Sequence, residues 1–142
     1  MVTKKSNYGW CVVVSLCVLI IGTAAHAAGL FDGSKPMLCS SIEGFQCSIK
    51  GCEEVLAAEV NLPQFFNIDT EQKNVTGKLE NGNQVVSKIE HEEHQDENMV
   101  LTGSENGMGW SITVNKQSGK SVLSVSGLDV GFTVFGACTL LD

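Results

Sequence analysis

Arginine is missing from all 142 residues, and nine lysines stand against sixteen carboxylates, for a formal net charge of −7. Nucleic acid needs a cationic footprint on its partner, so no nucleic-acid partner is expected. Anionic membrane surfaces are disfavoured for the same reason. A basic protein remains a compatible partner. Proline is nearly as scarce, with two residues, and the stretch 110–138 has none. No apolar run reaches the ~20 residues of a bilayer-spanning helix. The longest, 10–21, stops at 12, so no stable membrane insertion is expected.

Catalytic and metal signatures are missing as well. No serine occupies a Gly-x-Ser-x-Gly elbow. The nearest text, Gly103-Ser104-Glu105-Asn106-Gly107, has the wrong spacing. There is no His-Glu-x-x-His pair of a zinc protease, no glycine-centred calcium loop and no Cys-x-x-Cys half-site for zinc. No cofactor is implied. The chain does not read as an enzyme.

What is present begins with an export signal. Lys4 and Lys5 precede the apolar run, and Ala25-His26-Ala27 fits the small-x-small cleavage pattern. This predicts a secretory signal peptide over 1–27 and one disulfide-bearing domain over 28–142, periplasmic or secreted. Cys11 and Cys17 fall within the run as apolar filler. Cys39, Cys47, Cys52 and Cys138 remain, an even number that reads as two disulfides with three possible connectivities. Cys138 stands alone at the far end, so one bridge must reach back to the early cluster. Cys52–Cys138 with Cys39–Cys47 is one pairing; Cys39–Cys138 with Cys47–Cys52 is another.

The segment 110–138 carries the clearest fold signal. Trp110, Ile112 and Val114 alternate with Ser111 and Thr113, then Leu123 and Val125 with Ser124 and Ser126, then Val130, Phe132 and Val134 with Gly131 and Thr133. Period-two alternation of this kind predicts three half-buried strands. Phe135 breaks it before Gly136, which marks a bulge or bend there. Upstream, short strands are expected at 45–49, 65–69, 75–79, 84–92 and 99–102. Asn81-Gly82 is the strongest hairpin cue, 103–109 reads as a glycine-rich loop, and 28–36 as a loose N-terminus. One short helix is possible near 53–60. The expectation is an all-β fold: a small antiparallel up-and-down barrel, or a two-sheet sandwich, of seven to eight strands.

Two groups of residues are candidates for a site. Trp110, Phe65 and Phe66 would rim a barrel opening and stack on a ligand. His91, Glu93, His94 and Asp96, with Glu92 and Glu97 beside them, are the candidate metal or calcium ligands, and the alternative is a solvated acidic hairpin tip. Asn74-Val75-Thr76 also fits a glycosylation sequon.

The Trp110-Ser111 strand and the closing Phe135-Gly136-Ala137-Cys138 segment resemble those of uncharacterised small exported bacterial β proteins, which imply no function. In size, acidity and architecture the chain also resembles the small eight-stranded periplasmic lysozyme-inhibitor barrels. That resemblance implies an acidic inhibitor of a basic envelope-targeting hydrolase, and no site residue is carried over with it. The expected function is therefore a non-enzymatic binding or structural module of the cell envelope, monomeric or weakly dimeric. The alternatives are a barrel carrier of a small apolar ligand and a hydrolase built on the His91–Asp96 region.

Overall fold

The computed structural model describes residues 29–141. The signal peptide read over 1–27 lies outside them. The described chain is all-β, with ten strands: β1 Met37–Ser48, β2 Gly51–Val55, β3 Phe65–Asp69, β4 Asn74–Lys78, β5 Gln84–Lys88, β6 His91–His94, β7 Asn98–Glu105, β8 Met108–Asn115, β9 Lys120–Ser126 and β10 Gly131–Leu140. All pair antiparallel, in the order β5-β4-β3-β1-β10-β9-β8-β7-β6, with β2 as an arm on β1.

The two ends of that order are one piece of chain. β5 runs into β6 through Ile89 and Glu90 alone. At this break the Ile89 N–H donates to Lys73 O on the β4 side, at 2.9 Å, and the Glu90 N–H donates to Thr102 O on β7, at 2.8 Å. Counted as one strand, β5 and β6 close the sheet into an eight-stranded up-and-down barrel, the first of the two architectures expected from the sequence. Closure leaves few open edges for pairing with other chains.

The lower half of the barrel is filled. Met37, Cys39, Ile68, Ile89, Met99, Leu101, Ile112, Val114 and Cys138 form one buried cluster, joined by half-buried Phe31 and Leu140. Most of these side chains are long or branched, and they meet across a narrow interior. The segment 29–36, read as a loose N-terminus, instead plugs this end. The Phe31 N–H donates to Lys116 O at 3.0 Å, and Thr70 Oγ1 donates to Gly33 O at 2.5 Å. The Phe31 ring packs at Gly119, whose φ of +70° and lack of a Cβ admit it. Asp32 turns the plug. Its carboxyl is held below the ordinary carboxylate range by hydrogen bonds from Ser34, first from the side chain and then from the backbone N–H.

Cys39–Cys138 and Cys47–Cys52 are the bridges formed; the Cys52–Cys138 pairing is not. Register explains the choice. Cys39 faces Cys138 directly across β1 and β10, and Cys47 faces Cys52 across the β1–β2 hairpin.

Four further local expectations are corrected or narrowed. The first strand is far longer than 45–49, spanning Met37–Ser48. The bulge lies not at Phe135 but one strand across, in β1, where Ile42 is the extra residue between Ser41 and Glu43. Phe135 remains in step and points outward, its ring edge-on to Phe45 at 6.3 Å. The region 53–60 is helical only in its second half: β2 runs to Val55 and the short helix is a 3₁₀ turn at Ala57–Val60. The loop expected at 103–109 is strand on both sides of a two-residue turn, Asn106-Gly107, with φ of +51° and +80°. That is the type I′ geometry an Asn-Gly pair favours.

Candidate functional site

Alternation aims one side chain in two at the barrel interior. In the upper half several of those inward residues are small: Val75 and Gly77 on β4, Val85 and Ser87 on β5, Val125 on β9. They leave a cavity of about 190 Å³. Phe66 and Ile112 form its floor, both almost fully buried. Leu123 and Trp110 complete the wall. Asn61, Leu62 and Pro63 border it on one side, and Glu105, Asn106 and Met108, around the β7–β8 turn, on the other.

Trp110 is fixed from two directions. Its indole N–H donates to Ser87 Oγ at 2.8 Å, spanning from β8 to β5. It lies against Gly103, where a Cβ would fall 2.4 Å from Trp110 Cζ2 and from Lys88 O. Any side chain at position 103 would displace the indole. The bond matters because β5 and the upper end of β7 share no strand pairing. The indole covers this seam from inside. Pro63 likewise packs at Gly77, where a Cβ would meet its ring at 2.5 Å. Ser41 Oγ donates to Pro63 O at 3.1 Å and anchors the crossing chain to β1.

Of the three aromatic candidates, the structure brings two together. Phe66 and Trp110 line the cavity, as inward residues of β3 and β8. Phe65 does not. It is 56% exposed on the outer face, because neighbours along a strand point to opposite sides.

The metal candidates do not gather. His91 and Glu93 pair with Thr102 and Val100 on one face of β6, Glu92 and His94 with Leu101 and Met99 on the other. All are exposed, as is Asp96 in the following turn. Their side-chain hydrogen bonds are local: His94 Nε2 bonds Glu92 Oε1 at 2.8 Å, and Gln95 Nε2 donates to Glu93 Oε1 at 3.0 Å. Among the described residues, no group of three or more His, Cys, Asp or Glu is placed to hold a metal ion.

Ser87, Glu105, Leu123 and Val125 belong to the cavity and were not singled out from the sequence. Leu123 and Val125 carried a usable signal, since they alternate in phase on one face of a strand. Glu105 carried none while 103–109 read as loop. Among the described residues no helix is long and apolar enough to cross a membrane. No protein-family model, curated protein or solved structure matches the chain.

Proposed function

We propose that this protein is an exported, non-enzymatic binding module that carries a small apolar ligand in the upper half of its barrel. One observation carries the reading: a largely apolar cavity of about 190 Å³ opens beside a half-buried tryptophan. A dry cavity of ~150 Å³ lined by Leu, Ile and Phe suffices for benzene, so this one suits a ligand of similar or slightly larger size. The lower core is a cluster of buried side chains, and the cavity opens above it. Two disulfides accord with an oxidising, extracytoplasmic compartment.

Calorimetric titration of the protein with the linear alcohols from butan-1-ol to octan-1-ol tests the reading. Each added methylene is worth ~0.8 kcal/mol when buried, so affinity is expected to rise about fourfold per carbon and then level off once the cavity is full. Absence of saturable binding by every alcohol would remove the carrier.

The acidic surface favours a second reading, an inhibitor of a basic hydrolase. Glu90, Glu92, Glu93, Asp96 and Glu97 are all exposed along β6 and its turn. A basic partner held this way would be released by raised salt. A hydrolase is not proposed: His91 and His94 are both exposed and line neither this cavity nor the shallow recess beside the Cys47–Cys52 hairpin.

A further inference from the structure

We propose that the preferred occupant of the upper cavity is an amphiphile with an apolar body and a cationic amine head, the head meeting Glu105. The inference rests on the carrier reading and adds to it the chemistry of the ligand's polar end.

The polar side chains bordering the cavity are Asn61, Ser87, Glu105 and Asn106. None is a cation. Lys78 and Lys88 are next in sequence to the lining residues Gly77 and Ser87, yet strand alternation turns them away from the interior, and both are exposed. A carboxylate or phosphate head would therefore find no counter-charge at this mouth and would face Glu105. Ser87 Oγ already accepts the indole N–H of Trp110. Glu105 is different. It ends β7 at the rim, is only half exposed, and has no ion-pair partner among the described residues. A carboxylate beside an apolar cavity is the group an ammonium head would meet as its tail enters. Trp110 adds an aromatic wall, to which a cation is also drawn.

The geometry divides the ligand in two. The body lies against Phe66, Ile112, Leu123 and Val125, and the head stays at the β7–β8 turn, where part of its hydration is kept. Keeping the head at the rim avoids the large cost of burying a charge deep in the barrel.

The test compares three probes with the same six-carbon body, hexylamine, hexan-1-ol and hexanoate, titrated calorimetrically into the full chain at pH 7 and moderate salt. A half-exposed ion pair is worth up to ~1 kcal/mol, so hexylamine is expected to bind about fivefold more tightly than hexan-1-ol, and hexanoate more weakly than either. In Glu105→Gln the ratio of amine to alcohol affinity is expected to fall from about five to about one. This second arm separates Glu105 from the general pull of an acidic protein on any cation. Equal binding of amine and alcohol by the unmodified protein would overturn the assignment of the head and leave the carrier standing. A preference for the amine that survives in Glu105→Gln would overturn the role of Glu105. Failure of all three probes to bind would remove the carrier reading and this one with it.

Discussion

Replacing Cys39 and Cys138 together by alanine is expected to cost far more stability than replacing Cys47 and Cys52 together. The Cys39–Cys138 bridge spans a sequence separation of 99 residues and the Cys47–Cys52 bridge one of 5. Loop-closure entropy in the unfolded chain gives about 5 kcal/mol for the first and about 2 kcal/mol for the second. Packing acts in the same direction. Cys39 and Cys138 are buried inside the lower core, so alanines there also leave space behind. Cys52 is exposed on a hairpin arm, where alanine leaves no cavity. The long bridge also joins β1 to β10, the first and last strands of the barrel, at the contact that closes it. Urea denaturation of the two double variants checks this. With similar slopes, the Cys39→Ala/Cys138→Ala protein should show much the lower midpoint. Equal midpoints would mean that barrel closure does not depend on the bridge.

The strands were most legible where large apolar residues alternate with small polar ones. Ile112 and Val114 on β8, and Leu123 and Val125 on β9, are inward residues, and their pattern alone placed them. β1 was obscured for two physical reasons. Several of its inward positions are small or polar, Cys39, Ser41 and Gly44, so hydrophobic alternation is weak. Ile42 then slips the register by one residue, and the pattern after it is out of phase with the pattern before. The plug at 29–36 was invisible because Phe31 gains its meaning from Gly119 and Lys116, far away in the chain. His91 to His94 looked like a ligand cluster because short spacing resembles proximity. On a strand that spacing separates the imidazoles to opposite faces.

The cavity lay one level further from the sequence. Whether an eight-stranded barrel is filled or hollow depends on the summed volume of side chains at one height. Here that height collects Gly77, Ser87, Val85 and Val125 from strands distant in sequence, while the level below collects Met37, Ile68, Met99 and Leu101. No window along the chain contains either set. Trp110 was legible as a candidate because a lone large aromatic at a strand start stands out. Its partner Gly103, which makes room for it, carries no such signal, because Gly103-Ser104-Glu105-Asn106-Gly107 has the composition of a turn.

Filling that hollow level should abolish binding without unfolding the protein. Val125 lines the cavity on β9, opposite Phe132 of β10 and beside Trp110 of β8. Val125→Phe puts a ring into existing space, so it need not overpack the wall as it would in the lower core. Cavity filling of this kind commonly adds about 0.5–2 kcal/mol of stability. The expected result is a melting temperature unchanged or raised, with affinity for hexan-1-ol reduced at least about tenfold, a loss of ~1.4 kcal/mol. The same exchange one level down, at Val114, supplies the contrast. Val114 is fully buried in the packed cluster, so a phenylalanine there should lower stability by about 1–3 kcal/mol through strain. The pair of substitutions therefore reads the two halves of the barrel separately. A stable Val125→Phe protein that still binds hexan-1-ol with unchanged affinity would place the ligand outside the cavity. A Val114→Phe protein as stable as the parent would show that the lower half also holds usable space, and the division between a packed base and a hollow mouth would fail.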